Sequence, residues 1–124
     1  MARILAALVL LALSGVEGLT QDPLDQVKAE MAKNEAVLVD VREQKEWDEG
    51  HIEGALFLPL SGLREASKES LSEKLPAKKI LYVHCRSGAR ARTAAGILKK
   101  QGYDARPLKS GFEDLVQAGF TRAK

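Results

Sequence analysis

The single cysteine of this 124-residue chain has neighbours that suit chemistry better than simple packing. A lone cysteine is more often a small buried residue than a reactive group. Here the apolar run ILYVH leads directly into Cys85, and the residues that follow, Arg-Ser-Gly-Ala-Arg, lead directly into a predicted helix. Cys85 therefore falls at the turn between a buried strand and a helix.

That turn supplies positive potential to the cysteine sulfur. Backbone N–H groups of residues 86–90 can point inward toward the sulfur, and the following helix adds the positive end of its dipole. Arg86 and Arg90 add full charges. Each feature favours the thiolate, which is the nucleophilic form of cysteine. We therefore predict that Cys85 is a reactive nucleophile near neutral pH.

Arg86 and Arg90 are also candidate ligands for an anionic substrate, because guanidinium groups form paired hydrogen bonds with oxyanions. The structural alternative for either side chain is an ion pair with an internal carboxylate such as Asp40. Arg92 lies one helical position further round and is the weaker candidate. We expect it to face solvent.

Three residues of the turn are expected to bind substrate through their backbone. They are Ser87, Gly88 and Ala89. At Gly88 we predict that a side chain would crowd the anion cradle.

The two histidines are poor candidates for acid–base or metal chemistry. His84 precedes Cys85 on a predicted strand, so the two side chains point to opposite faces. Two isolated histidines and one cysteine show none of the usual metal-ligand spacings. The sequence therefore implies neither a metal nor an organic cofactor.

The order of the predicted elements indicates the fold class. Short β-branched runs at 36–41 and 80–84 are typical of strands buried on both faces. Helical spacing predicts a helix over 24–31, with Asp22 as its N-cap before Pro23. The other predicted elements are a charged helix or turn at 43–49, a strand at 55–60, helical structure at 61–75, a strand at 106–108 and a helix at 111–119. Helices between strands require parallel crossovers, so we predict an α/β fold with an open sheet covered on both faces.

The first 18 residues resemble a secretory signal peptide. Arg3 gives a positive start, Ile4–Leu13 is apolar, and small residues follow, so cleavage is expected after Ser14 or Gly18. The apolar run has about ten residues, whereas a membrane-spanning helix needs about twenty. We expect one exported domain at 19–124, periplasmic or secreted, with no membrane contact after cleavage.

The formal net charge of +2 gives no reason to expect a nucleic acid partner.

The motif around Cys85 resembles the active loop of the rhodanese family. Val39-Asp40-Val41-Arg42-Glu43, Trp47 and the segment from Gly50 to Pro59 are similar to the family's N-terminal signature at its usual spacing. In the LKSGF segment at 108–112, Lys109-Ser110-Gly111 stands where a Gly-Gly pair is more usual. The resemblance implies an open parallel sheet of five strands. It also implies an anion-binding active loop, with Asp40 and Arg42 in supporting roles and a structural role for His51.

The resemblance also implies a reaction. The Cys85 thiolate would attack the outer sulfur of thiosulfate, expel sulfite and hold the sulfur as a persulfide until cyanide or a thiol removes it. A second reading is a persulfide carrier or binding module fed by a partner protein. A third is the oxyanion chemistry of the related arsenate reductases and phosphatases. These use a loop one residue longer than the span from Cys85 to Arg90.

If the first 18 residues are a signal peptide, the mature N-terminus lies between Gly15 and Leu19, because the apolar run is too short for a stable membrane anchor. N-terminal sequencing of protein expressed at full length measures it. Intact Met1 recovered from a membrane fraction would contradict export as a soluble domain.

Overall fold

The computed structural model describes residues 24–124. The predicted signal peptide and the Asp22 N-cap lie outside the described residues. Within this range, no helix is both long enough and apolar enough to cross a bilayer.

Helices and strands alternate along the described chain. The helices are α1 (Leu24–Ala32), α2 (Gln44–Glu49), α3 (Leu60–Leu63), α4 (Lys68–Lys74), α5 (Ala89–Lys100) and α6 (Phe112–Gln117). The strands are β1 (Ala36–Asp40), β2 (His51–Ile52), β3 (Leu56–Phe57), β4 (Ile80–His84), β5 (Asp104–Pro107) and β6 (Arg122–Ala123).

Four strands form one parallel sheet in the order β3-β1-β4-β5. The predicted α/β class with an open parallel sheet is confirmed. The resemblance implied five strands, whereas the described residues place four in the sheet. The two-residue strand β2 pairs antiparallel with β6 instead, and the contact continues where Glu53 N–H donates to the Thr121 carbonyl at 2.8 Å.

Both faces of the sheet are covered, and strand alternation decides which residue faces which layer. Alternate residues Val39 and Val83 pack in one core with Cys85 and with Ala94 and Leu98 of α5.

The neighbouring strand positions form a second core on the opposite face. There Leu38 and Tyr82 pack with Val27 of α1 and Leu115 of α6. The central strands are therefore apolar on both faces, as the unbroken runs at 36–41 and 80–84 predicted.

Two predicted element boundaries differ from the structure for local reasons. The strand expected at 55–60 contains only Leu56 and Phe57, because Pro59 is already the N-cap of α3. The helical segment expected at 61–75 is two helices. The second begins at Lys68, and its N-cap is Ser67, whose hydroxyl oxygen accepts a hydrogen bond from Ser70 N–H at 3.1 Å.

Candidate active site

Cys85 lies directly after β4, at the carboxyl edge of the parallel sheet, with α5 beginning four residues later. This edge is where ligands bind in open α/β sheets. Gly88 N–H donates to the Cys85 sulfur at 3.0 Å. The sulfur thus accepts a hydrogen bond at the N-terminus of a twelve-residue helix, a surrounding that favours negative charge.

The sulfur is also fully buried among apolar neighbours. Burial by itself is typical of an inert core cysteine, whereas reactive cysteines combine a polar, electropositive surrounding with access. The sequence predicted several inward amides, and the described hydrogen bond to sulfur comes from Gly88. The loop that follows the sulfur is more accessible, since Arg86, Ser87 and Ala89 are exposed.

Gly88 is required by its backbone conformation. Its φ of 100° is in the left-handed region, where residues with a side chain are strained. A Cβ built there would lie 3.4 Å from the Lys109 carbonyl oxygen, which is ordinary van der Waals contact. Glycine is therefore required at position 88 by its left-handed backbone conformation, and not by crowding of a side chain against the anion cradle as predicted.

Arg90 is held by a carboxylate. Its two terminal nitrogens donate to the two carboxylate oxygens of Glu46 at 2.7 and 3.0 Å. This contact lowers the pKa of Glu46 to about 2, while Glu46, and to a lesser extent Cys85, raises the pKa of Arg90. Arg90 therefore forms an ion pair with an internal carboxylate, which was the structural alternative to substrate binding, and its partner is Glu46 instead of Asp40.

Glu46 was not predicted from the sequence to be part of the site. Its Oε1 also accepts Glu43 N–H at 3.0 Å and completes a capping box at the start of α2. The Glu-x-x-Glu spacing was the available signal for the helix start. The reach of Glu46 across to Arg90 depends on tertiary packing.

Arg86 and Arg92 form no ion pair within residues 24–124, and both side chains are exposed. Nη1 of Arg92 lies 3.5 Å from the point where a Gly88 Cβ would stand. The Arg92 side chain is therefore exposed, as expected, and its guanidinium also lies near the active loop.

Asp40 and Arg42 form a buried ion pair beneath the site. Arg42 donates to both Asp40 carboxylate oxygens, with the closest contact at 2.8 Å, and to the Gly50 carbonyl at 2.7 Å. Its guanidinium carbon lies 4.2 Å from the centre of the Phe112 ring. The pair joins the end of β1 to the segments that flank the active loop.

His84 is the second buried polar group at this edge. It is paired in register with Asp40, and its Nε2 lies 3.8 Å from Asp40 Oδ2. Neither ring nitrogen makes a hydrogen bond of normal geometry. Burial lowers the pKa of His84, and the opposing effect of Asp40 is smaller, so the ring is neutral at pH 7. Strand alternation places it on the face opposite Cys85.

His51 packs against Trp47. The two rings stack with centroids 3.6 Å apart, and Nδ1 of His51 lies 3.0 Å from the Trp47 carbonyl oxygen, to which it can donate. The Trp47 ring in turn lies 4.8 Å from the ring of Phe57. These contacts connect α2 to the sheet edge.

The segment after β5 packs directly on the active loop. Phe112 N–H donates to the Cys85 carbonyl at 2.9 Å. A Cβ built on Gly111 would lie 1.8 Å from the Arg86 carbonyl oxygen. Only glycine fits at this position, which lies in the segment where the family usually carries a glycine pair.

A cleft of about 190 Å³ opens beside Arg86, with Phe112 in its wall. Six charged side chains line it: Arg42, Glu46, Glu49, Arg86, Glu113 and Arg122. Among the described residues, no group of His, Cys, Asp and Glu side chains is arranged to hold a metal ion.

Comparison with known proteins identifies the family. The Rhodanese-like domain matches residues 23–118, about three quarters of the chain. The chain belongs to the rhodanese-like domain family. The N-terminal signature, the Cys85 loop and the 108–112 segment, from which the resemblance was drawn, all lie inside the matched region.

Two curated relatives and one solved structure show the range of the family. The thiosulfate sulfurtransferase GlpE of Coxiella burnetii is 35% identical over 82 residues, which cover 65% of this chain and 72% of GlpE. YqhL of Bacillus subtilis is 38% identical over 79 residues, which cover 63% of this chain but only 59% of YqhL. The human single-domain sulfurtransferase TSTD1 superposes with a TM-score of 0.67 at 25% identity, covering 76% of this chain and 92% of that chain.

The contact at Gly111 predicts that Gly111→Ala destabilises the rhodanese domain by about 3 kcal/mol, because the new methyl group overlaps the Arg86 carbonyl. Urea unfolding measures the change. Gly96→Ala is the matched control, since Gly96 lies exposed within α5 with no atom within 4 Å of its added Cβ. This control is expected to stabilise the protein by about 1 kcal/mol. Equal stability of Gly111→Ala and the parent would disprove the close contact.

Proposed function

We propose that the protein is a sulfurtransferase that takes sulfane sulfur from thiosulfate, or a similar anionic donor, and passes it to cyanide or a thiol. The observation that carries this proposal is the position of the Cys85 sulfur. It accepts a hydrogen bond from Gly88 N–H at the N-terminus of α5, beside Arg86 and Arg92, which form no ion pair with any of the described residues 24–124. Membership of the rhodanese-like family supports the same chemistry.

The first half-reaction forms a persulfide. The Cys85 thiolate attacks the outer sulfur of thiosulfate, the sulfur–sulfur bond of the donor breaks, and its electron pair leaves with sulfite. The products are the Cys85 persulfide anion and sulfite, so charge and atoms balance. In the second half-reaction an acceptor attacks the outer sulfur of the persulfide and regenerates the Cys85 thiolate.

The charges around the loop suit a doubly charged donor. Arg86 is exposed beside Cys85 and Arg92 lies over Gly88, so two free guanidinium groups can approach the same anion. Arg90 acts differently, because Glu46 already occupies both of its terminal nitrogens. Its role is to hold α2 against the start of α5.

The alternative function for the same fold is that of a persulfide carrier. In that case a partner protein would deliver sulfur to Cys85, and Arg86 would contact the partner surface in place of thiosulfate. The arsenate reductase and phosphatase reading is disfavoured by the short loop. Six residues run from Cys85 to Arg90, one fewer than in the loops of those enzymes.

An exported location, periplasmic or secreted, is part of this proposal. Its support is the N-terminal sequence pattern, and N-terminal sequencing tests it as described above.

The nucleophile is tested by mass spectrometry of the intact protein after incubation with thiosulfate. We expect a gain of one sulfur atom on Cys85 in the parent and none in Cys85→Ser. The variant should also lose thiosulfate:cyanide transfer while its far-UV circular dichroism stays unchanged, because serine and cysteine are close in volume. Residual turnover above about one part in a thousand of the parent rate would exclude Cys85 as the nucleophile.

The donor class is tested by Arg86→Ala. Loss of a charge-assisted hydrogen bond present in both ground and transition states raises KM more than it lowers kcat. We expect a decrease of about tenfold in kcat/KM for thiosulfate, the lower end of the range for charged hydrogen bonds, since Arg86 is exposed to water. Added salt should weaken thiosulfate use by the parent more than by the variant.

The control for this test is Lys100→Ala, which removes an exposed charge at the far end of α5. It should leave the kinetics unchanged. Intact thiosulfate kinetics in Arg86→Ala, with no salt dependence, would favour the protein-fed carrier instead.

A further inference from the structure

The three arginines at the active loop differ in their partners. Arg86 and Arg92 form no ion pair with any residue of the described range 24–124. Arg90, in the first turn of α5, donates from its two terminal nitrogens to the two carboxylate oxygens of Glu46 at 2.7 and 3.0 Å. A guanidinium paired in this bidentate way behaves as one end of a dipole, so its attraction for another anion is much reduced.

Glu46 is fixed at the start of α2 by contacts that do not involve Arg90. Its Oε1 accepts Glu43 N–H at 3.0 Å as part of the capping box. The Glu43 carboxylate in turn accepts a hydrogen bond from the Ser61 hydroxyl at 2.7 Å, which ties the start of α2 to α3. The Glu46 carboxylate is therefore held in place, and Arg90 must stay beside it to keep both of its hydrogen bonds.

The ion pair persists over the whole neutral pH range. The hydrogen bonds from Arg90 lower the pKa of Glu46 to about 2, so the carboxylate is ionised at any pH well above that value. Protonation of Glu46 therefore does not release Arg90 near pH 7. The two side chains are 33% and 25% exposed, and an ion pair this accessible to water contributes little to stability. Stability alone is thus a weak reason for a bidentate contact at this place.

Arg90 lies within electrostatic reach of the reacting sulfur. It belongs to the first turn of the helix whose N-terminus meets the Cys85 sulfur through Gly88 N–H at 3.0 Å. Glu46 raises the pKa of Arg90 most strongly, and the negative charge of a Cys85 thiolate raises it further. Because Arg90 is stabilised by negative charge at the sulfur, it would also attract the negative charge of a donor bound there.

We infer that Glu46 is a specificity-determining residue that withholds Arg90 from the sulfur donor. The inference rests on the proposed sulfurtransferase function and concerns the donor charge that the same site prefers. With Arg90 neutralised, the loop offers a donor the free guanidinium groups of Arg86 and Arg92. A dianion would gain about twice as much from a third cation as a monoanion, because the Coulomb energy is proportional to charge. Glu46 therefore reduces the preference for doubly charged donors and keeps singly charged donors competitive.

Two sulfur donors of different charge test this role: thiosulfate, a dianion, and methanethiosulfonate, a monoanion. Each gives its outer sulfur to the Cys85 thiolate, and the electron pair of the broken sulfur–sulfur bond leaves with sulfite or with methanesulfinate. Both donors are assayed with cyanide as the common acceptor, in the parent and in Glu46→Gln. Glutamine keeps a side-chain oxygen that can accept Glu43 N–H, so the capping of α2 is preserved.

We expect Glu46→Gln to raise kcat/KM for thiosulfate about threefold, which is typical of one exposed ion pair, mainly through a lower KM. The gain for methanethiosulfonate should be about half as large on a logarithmic scale. Asp48→Asn, which removes an exposed carboxylate from the same helix, is the matched control and should change neither value. An unchanged or lower kcat/KM for thiosulfate, or an equal gain for both donors, would overturn the inference.

A double-mutant cycle shows whether Glu46 acts through Arg90. The gain from Glu46→Gln should largely disappear in the background of Arg90→Gln, because no guanidinium remains there to be released. An equal gain in that background would mean that Glu46 acts through its own charge alone, and it would refute the withholding of Arg90.

Binding of sulfate, an unreactive dianion, keeps the test independent of sulfur transfer. A titration followed by NMR at the amides of Arg86 and Gly88 should give a dissociation constant about threefold lower in Glu46→Gln than in the parent. Equal dissociation constants, or no saturable binding to either protein, would refute the role of Glu46 even if Cys85 forms a persulfide. Tighter sulfate binding by Glu46→Gln, without persulfide formation in the parent, would refute the proposed function and leave the role of Glu46 standing.

Discussion

The backbone contact between the 108–112 segment and the active loop is the constraint on which the site depends. Leu108 N–H donates to the Val83 carbonyl at 2.8 Å and Phe112 N–H donates to the Cys85 carbonyl at 2.9 Å. Between these bonds, Gly111 approaches the Arg86 carbonyl so closely that no Cβ fits. The loop around Cys85 is therefore held from outside by a segment more than twenty residues later in the chain.

A second constraint lies on the opposite face of the sheet, where Asp40, Arg42 and His84 are buried together. Arg42 satisfies both carboxylate oxygens of Asp40 and bonds the Gly50 carbonyl, so the ion pair is compensated. His84 remains without a hydrogen bond of normal geometry, and its pKa is lowered by burial. Burying a charged imidazole would cost stability, so acidification below the ordinary pKa of histidine, about 6.5, works against the folded state.

The arginines near Cys85 divide into two groups by their partners. Arg42 and Arg90 are bound by carboxylates and join segments of the fold. Arg86, Arg92 and Arg122 have no carboxylate partner in the described part of the chain and remain available for ligands. The pair between Arg90 and Glu46 is partly exposed, at 33% and 25% of the two side chains, so its value is positional more than energetic. The unpaired arginines near Cys85 thus lie at the loop and in the cleft.

Sequence alone was sufficient for the fold class and for the position of Cys85, because both depend on local patterns. Unbroken apolar runs identify β1 and β4, and the strand–turn–helix order places the cysteine at the carboxyl edge of the sheet. The helix that follows Cys85 was likewise predicted from local features, whereas the left-handed conformation of Gly88 was found only in the structure. Three features were decided only by tertiary structure. Arg90 pairs with Glu46, and Arg92 lies near the loop. The side chains that meet in one cleft are Arg86, Arg122, Glu49 and Glu113. Glu49 and Arg122 are 73 positions apart in the sequence, and the sheet order and the β2–β6 pairing, not local propensity, bring such distant side chains together.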